Sequence, residues 1–359
     1  MKATGLFVGI FFSMALISCK PKAVETVVVE EKLAPSDLSS LGKPRLSDYG
    51  FFVGALRQLD PAAGVIPYNL NSPLFSDYAF KKRFVKIPRG TKAKYNPDDV
   101  FEFPEGTMLI KNFYYPKDFR TPDENNHILE TRLLIKEKSA WKTLPYVWND
   151  EQTEAFLDVA GENKAVSWTH VDGSVRKVNY SVPNTNQCKG CHLRGDRISP
   201  IGLSARQLNG DYPYSTGRKN QLVYWSEHNL LEGLPLQRTL PRLTAYDDTR
   251  APVDLRARAW LEVNCAHCHR SDGPARNSGL HLLADITSPA EYGVGKAPVA
   301  AGKGTGGRLF SIVPGKPDES ILQFRIESTE PGIMMPEMGR KLQHDEGVKL
   351  VREWISAMK

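Results

Sequence analysis

The sequence predicts an α+β multidomain protein, in which a β-rich N-terminal domain is followed by mostly α-helical domains. Residues 46–183 contain short alternating apolar segments separated by Pro, Gly, Asp and Asn. Residues 252–359 carry apolar side chains at helical spacing near both ends. Of the 359 residues, 25% are charged and 41% are hydrophobic, which is ordinary globular composition. Collagenous, coiled-coil, disordered and polytopic membrane classes are therefore excluded.

The N-terminus has the features of an export signal over residues 1–18. A positive charge precedes an apolar run, Leu6–Ile17, that is shorter than the roughly 20 residues of a transmembrane helix. The run ends in Leu16-Ile17-Ser18-Cys19, which resembles the lipobox of bacterial lipoproteins and implies that Cys19 carries lipid. A plain secretory signal is the alternative. Residues 19–45, rich in Lys, Glu, Pro and Ser, are expected to form a lipid-anchored linker.

The β-rich domain, 46–183, is predicted from strand-length segments bounded by turn-forming residues. Its predicted strands are Ala79–Ile87, Val100–Phe103, Met108–Phe113, Ile128–Ile135 and Val175–Val182. Asp172-Gly173 lies between two apolar runs and predicts a hairpin turn. One hypothesis for this domain is a module that docks a partner dehydrogenase.

Four of the five cysteines lie in two C-x-x-C-H motifs, Cys188–His192 and Cys265–His269. This is the attachment pattern of c-type haem, in which two thiols add to the vinyl groups of one porphyrin. The histidines His192 and His269 then become proximal iron ligands. The alternatives are a zinc knuckle and a thioredoxin-like redox pair. The two cysteine pairs of a zinc site are usually about 15–20 residues apart, far fewer than separate Cys188 from Cys265, and a redox pair needs no adjacent histidine.

The motifs therefore predict two c-type haems, each with its iron. The first, called haem 1, is held by Cys188, Cys191 and His192 in the region 184–251. The second, called haem 2, is held by Cys265, Cys268 and His269. The predicted fold class is accordingly a β-rich domain followed by mostly α-helical c-type haem domains, with no catalytic residue assigned.

The region 252–359 is predicted to be a class I cytochrome c-like domain. Pro252 can start a helix that carries Leu255, Ala259 and Val263 on one face. A second helix, led by His344 or Asp345, carries Val348, Val351 and Ile355. These two helices would enclose haem 2.

The segment Ile333–Gly339 resembles the Met-Pro-Pro-x-Gly loop of bacterial cytochromes c, with Glu337 in place of the second proline. The resemblance implies Met335 as the sixth ligand of haem 2, with Met334 and Met338 as alternatives. A histidine–methionine ligand pair raises the reduction potential relative to two histidines.

The sixth ligand of haem 1 stays open. A helix is predicted over Arg218–Leu231, and His228 on it is one candidate ligand. Met108 and His170 of the preceding domain are further candidates. An open coordination position is the remaining alternative, and it would allow a small ligand to bind.

Nearly the whole mature chain resembles an uncharacterised family of dihaem c-type cytochromes found in Gram-negative bacteria. The resemblance rests on Leu74–Tyr78, Glu130–Arg132, Asn186–Cys188, Asn264–His269 and Met335-Pro336. With the motifs, it predicts an exported carrier that transfers single electrons between periplasmic donor and acceptor proteins. The alternative is a dihaem peroxidase-like oxidoreductase with haem 1 as the reactive centre.

The expected location is the periplasmic face of the outer membrane, where the lipid on Cys19 would anchor the chain. Lys20 after that cysteine favours the outer membrane, with the inner membrane or the cell surface as alternatives. The net charge of +6 is spread along the chain without a run of like charges, so no nucleic-acid partner is expected.

Overall fold

Six antiparallel strands form the main sheet of this protein, in the order Val65–Tyr68, Phe80–Lys86, Met108–Pro116, Asn126–Lys136, Trp141–Trp148 and Ala155–Leu157. The computed structural model describes residues 1, 41–235 and 239–359. The predicted signal peptide, Cys19 and most of the predicted linker lie outside the described residues. The strands are β1 (Phe52–Val53), β2 (Asp60–Pro61), β3 (Val65–Tyr68), β4 (Phe80–Lys86), β5 (Ala93–Lys94), β6 (Met108–Pro116), β7 (Asn126–Lys136), β8 (Trp141–Trp148), β9 (Ala155–Leu157), β10 (Glu162–Thr169), β11 (Val175–Val182), β12 (Leu193–Arg194), β13 (Arg197–Ile198), β14 (Asp211–Tyr214), β15 (Gly217–Asn220) and β16 (Leu231–Glu232).

Four of the five predicted strands are confirmed as β4, β6, β7 and β11. The predicted hairpin joins β10 and β11, and Gly173 has the positive φ of +84° that this turn requires. The segment Val100–Phe103 is not a strand. Its residues make isolated bridges only, and Pro104, which lacks an amide N–H, follows it directly. Phe101 and Phe103 are nevertheless buried.

The two faces of the main sheet differ in chemistry. One face packs apolar side chains into a core, including Phe84, Ile110, Leu133 and Leu144. The other face carries basic side chains on three neighbouring strands. Since residues paired across antiparallel strands point to the same side, these basic groups share one surface. That surface forms part of the site described below.

The helices are α1 (Thr185–His192), α2 (Ala205–Leu208), α3 (Gln221–Glu227), α4 (Val253–Leu261), α5 (Ile321–Glu327) and α6 (Asp345–Ala357). The prediction that the haem regions are mostly α-helical is wrong. The protein is β-rich, with 27% of residues in strands and 22% in helices. Between α4 and α5 the chain continues as a short π-helical turn, 3₁₀ turns and loops. Proline and glycine explain this, because Pro289, Gly293 and Gly295 interrupt any helical run, the two glycines at positive φ.

The two helices predicted near the ends of the region 252–359 are confirmed as α4 and α6. One predicted core position is wrong, because Leu255 is 49% exposed, whereas Ala257, Trp260 and Leu261 are buried. Helix α3 is shorter than predicted, since the flanking residues form β15 and β16. Where the chain divides into domains stays a prediction. Within the described residues, no helix combines the length and the apolar character needed to cross a membrane.

Candidate haem-binding site

The first C-x-x-C-H motif lies on helix α1, which is fixed at its N-terminus by a capping box. The Asn184 side chain accepts a hydrogen bond from the Gln187 amide at 2.8 Å, and the Gln187 side chain accepts from the Asn184 amide at 3.0 Å. This arrangement starts the helix one turn before Cys188. Cys188 and Cys191 are three residues apart, so they lie on one helix face.

His192 is held in the tautomer that suits a metal ligand. The strands β12 and β13 form a hairpin that returns the chain to the histidine, and Nδ1 lies 2.8 Å from the carbonyl oxygen of Ser199. A carbonyl only accepts, so Nδ1 carries the proton and Nε2 keeps its lone pair. Burial lowers the pKa of His192 to about 4, which keeps the ring neutral at physiological pH.

The second motif follows α4 in a π-helical turn, Glu262–Ala266. His269 Nδ1 lies 3.0 Å from the hydroxyl oxygen of Ser278, which donates its only proton to the Ala275 carbonyl at 2.7 Å. The hydroxyl oxygen therefore accepts from Nδ1, and Nε2 of His269 is again free. Burial lowers the pKa of His269 to about 4 as well.

The four motif cysteines are free thiols rather than disulfide partners. Burial raises the pKa of Cys265 and of Cys268 to about 12, and it also raises the pKa of Cys188 and of Cys191. In the part of the chain that the structure describes, no three His, Cys, Asp or Glu side chains converge as a metal site. A haem iron does not need such a cluster, since the porphyrin supplies four of its ligands.

The segments that follow the two motifs are joined directly. The amide of Gly195 donates to the carbonyl oxygen of Asp272 at 2.7 Å. The Arg194 guanidinium lies between two carboxylates, 2.7 Å from Asp99 and 2.7 Å from Asp272. Arg270 contacts the same Asp272 carboxylate at 2.6 Å. These bonds fix the two motifs beside each other.

A cavity of about 490 Å³ lies beside the first motif and against the basic face of the sheet. Its volume falls within the roughly 300–1,000 Å³ range of ligand and cofactor sites. Cys188, Cys191 and His192 line it, as does His267 from inside the second motif. Paired thiols, an imidazole with a free Nε2 and an adjoining cavity are the features that a covalently attached haem requires, so the residues of the first motif fit the group. Cys265, Cys268 and His269 of the second motif do not line this cavity.

The methionine loop borders the same cavity and is held by one buried arginine. Met334, Met335 and Met338 all line the cavity. The Arg340 guanidinium donates to the carbonyl oxygens of Met335 and of Ser328, each at 2.8 Å. Met338 packs on the first motif, since a Cβ on Gly190 would lie 2.8 Å from its sulfur.

The candidates for the sixth ligand of haem 1 lie elsewhere. His228 is exposed, and its Nδ1 is 2.8 Å from the Tyr224 carbonyl oxygen of its own helix. Met108 packs on the apolar core at the opposite face of the sheet. His170 is buried, and its Nδ1 accepts a hydrogen bond from the Trp168 indole N–H at 3.4 Å. The structure brings none of the three histidine and methionine candidates to the lining of the cavity.

The sequence reasoning missed three groups on the cavity wall. Lys111 and Arg132 extend from the sheet, and the buried Nδ1 atom of His267 has no hydrogen-bond partner among the described residues. One signal was available for Lys111. It alternates with Leu109 and Phe113 on one face of a buried strand, where a charged side chain is unusual.

Comparison with protein-family models, with curated proteins and with solved structures finds no match to this chain.

Proposed function

We propose that this protein is an exported dihaem c-type cytochrome that transfers single electrons between periplasmic redox partners. The observation that carries the proposal is the state of the two motif histidines. His192 and His269 each use Nδ1 as a hydrogen-bond donor and keep Nε2 free, beside a pair of free thiols. Such an oriented imidazole is the arrangement that metal-ligating histidines use.

Each motif has a defined part in this proposal. Cys188 and Cys191 would hold haem 1, with His192 as its proximal ligand. Cys265 and Cys268 would hold haem 2, with His269 and Met335 as its axial ligands. A bound haem supplies reversible one-electron chemistry at iron, whereas the protein supplies ligands, burial and orientation.

The joined motifs support exchange of electrons between the two sites. The Gly195–Asp272 backbone hydrogen bond and the Arg194 ion pairs hold the two attachment segments in contact with each other. The chain would then receive an electron at one haem and release it from the other. Lipid on Cys19 would anchor this carrier at the periplasmic face of the outer membrane.

Haem stoichiometry tests the proposal. The full chain, exported from a host with c-type haem maturation, is expected to give two covalently bound haems per chain by the pyridine haemochrome assay. Cys188→Ser/Cys191→Ser and Cys265→Ser/Cys268→Ser should each give one. Cys19→Ser is the matched control, because it should release the protein from the membrane fraction with both haems in place. A wild-type stoichiometry of one or zero contradicts the proposal.

A peroxidase-like oxidoreductase is the second candidate function. The observation that favours it is the placement of His228 and Met108 outside the cavity lining, which leaves haem 1 without either predicted sixth ligand. Turnover of hydrogen peroxide, with carbon monoxide binding to half of the haem, would support the enzyme. Two haems that bind no carbon monoxide would support the carrier.

A further inference from the structure

We infer that Lys111 and Arg132, which line the cavity, form the binding site for the propionate carboxylates of haem 1, with Arg83 as the neighbouring cation on the sheet. We call these three residues the basic row. This inference rests on the proposed function, because it names the chain's own groups that would meet the anionic edge of the porphyrin. It adds a site that the C-x-x-C-H motif does not specify.

The basic row is built by strand register. Arg83 of β4 pairs with Lys111 of β6, and Lys111 pairs with Arg132 of β7. Directly paired residues on antiparallel strands point to the same face, with Cβ atoms about 4.5–5.5 Å apart. Two of the three charged groups also lie over one ring, since Lys111 Nζ is 4.7 Å and Arg132 Cζ 4.2 Å from the centre of Phe113.

The charge of the row is only partly neutralised by the protein. Arg132 makes a two-pronged ion pair with the fully buried Glu130, at 2.6 and 2.7 Å. Arg83 is 5% exposed and donates to the neutral side chain of Asn69 at 3.2 Å. No carboxylate of the described residues lies within ion-pair distance of Lys111, and burial lowers the pKa of its ammonium group well below the usual range. An anion beside Lys111 would therefore favour its charged form.

Lys111 and Arg132 both line the cavity. The Asp77 carboxylate also lines it, and its Oδ1 accepts from the amides of Lys341 and Leu342 at 2.7 and 2.8 Å. A buried cation without a counter-charge is costly, and an anion in the cavity would offset that cost. Haem carries two carboxylates on flexible arms, and the cavity adjoins its attachment motif.

The test compares Lys111→Met with Lys82→Met in the mature dihaem protein. Lys82 precedes Arg83 on β4, is exposed and points to the opposite face, so it is a matched control. Loss of positive charge beside a haem favours ferric iron. Lys111→Met is therefore expected to lower the midpoint potential of haem 1 and to leave haem 2 unchanged, measured by spectroelectrochemistry. Lys82→Met should match wild type at both haems.

A second background separates binding from folding. In Cys188→Ser/Cys191→Ser, where haem 1 is absent, Lys111→Met should raise the thermal midpoint, because it replaces an amine whose pKa burial lowers with an apolar side chain. Lys111→Arg should keep the wild-type potential of haem 1. An unchanged potential in Lys111→Met, with two haems present, overturns the inference while the proposed function stands. Fewer than two haems in wild type instead contradicts the proposed function.

The alternative occupant of the basic row is a soluble anion, such as phosphate, instead of the propionate carboxylates. Inorganic phosphate is therefore titrated into the wild-type dihaem protein at constant ionic strength. A potential that is independent of phosphate is expected if the propionates occupy the row. A phosphate-dependent potential that disappears in Lys111→Met would show that the row takes a soluble anion, and would overturn the inference.

Discussion

The two C-x-x-C-H segments hold their histidines by different means. In the first, His192 donates to the backbone carbonyl of Ser199, which a β-hairpin brings back to the ring. In the second, His269 donates to the side-chain hydroxyl of Ser278. A backbone acceptor survives any substitution that keeps the fold, whereas a hydroxyl can be deleted by mutation. A single substitution can therefore remove the hydrogen-bond acceptor of the histidine in the second segment but not in the first.

The surroundings of the two segments also differ, in charge and in packing. The first segment adjoins a sheet face that carries the half-buried, basic side chains of Lys111 and Arg132. The second packs Cys265 into an apolar core that includes Trp260, Tyr292 and Trp354. Charge distinguishes the first site, and close packing distinguishes the second. Perturbations of charge and of volume should therefore separate the two.

Under the proposed function, the largest effect is expected from Met335→Leu. Loss of the proposed thioether ligand should lower the midpoint potential of haem 2 by about 0.1–0.3 V, within the roughly 0.8 V that axial ligands span. Haem 1 should keep its potential. Spectroelectrochemistry and electron paramagnetic resonance measure both haems in one sample.

Met338→Leu is the matched control for that substitution. Met338 lies in the same loop but packs on Gly190 of the first segment. It should leave the potential of haem 2 unchanged. If Met338→Leu lowers that potential and Met335→Leu does not, the assignment of the ligand within the loop is wrong.

Two glycines give a test of packing in the two segments. A Cβ on Gly273 would overlap the backbone carbonyl oxygen of Cys268, which cannot move aside. Gly273→Ala is therefore expected to lower the free energy of unfolding by about 2–3 kcal/mol. A Cβ on Gly190 would meet only the flexible end of Met338. Gly190→Ala should change stability by less than about 1 kcal/mol, since alanine also favours the helix. Denaturant unfolding measures both, and equal losses would contradict the comparison.

The sequence motifs and the fold around them differ in how far they could be predicted. The C-x-x-C-H spacing is local, so haem attachment through its thiols and histidines could be proposed without a fold, and it stays a prediction. The helices α4 and α6 were also predictable, because their apolar spacing is regular. The acceptors Ser199 and Ser278 could not be found, since each is set by a turn that returns the chain to the ring.

Long-range placement explains the remaining errors. Helix content was overestimated because the region between α4 and α5 consists mainly of loops and short turns. Such segments have no regular apolar spacing by which the sequence could indicate them. His228 was a candidate because it lies on a helix after the first motif, yet its ring packs on Tyr224 at 3.8 Å. Lys111 was overlooked because strand register, not sequence neighbourhood, places it beside Arg83 and Arg132.

Acid should weaken the packing around the second segment through His344. This ring accepts from the Trp260 indole at 2.8 Å and stacks on Phe75 at 4.3 Å, and burial lowers its pKa to about 4 from an ordinary value of 6.5. Below pH 6.5 the unfolded chain binds a proton that the folded chain does not. The free energy of unfolding should therefore fall as the pH is lowered from about 6.5 to about 4.

His344→Gln tests that contribution. The variant is less stable at pH 7, because the buried Trp260 donor loses its partner. Its loss of stability between pH 7 and pH 4.5 should be smaller than that of wild type by about 2 kcal/mol. His228→Gln is the control, since that ring is exposed, and it should follow the wild-type curve. Parallel curves for His344→Gln and wild type would show that His344 does not titrate as described.

The smallest effect is expected from the hydrogen bond that distinguishes the two histidines. Ser278→Ala removes the acceptor of His269 Nδ1. In the proposed haem site this would make the imidazole a weaker donor to iron and disfavour the ferric state. The midpoint potential of haem 2 should rise, and the corresponding change in the free energy of reduction should be about 1 kcal/mol, the net contribution of one hydrogen bond. Ser199→Ala keeps the carbonyl that His192 uses, so the potential of haem 1 should not change. Spectroelectrochemistry of the two alanine variants decides between a side-chain and a backbone acceptor, and a shift in Ser199→Ala alone would reverse the comparison.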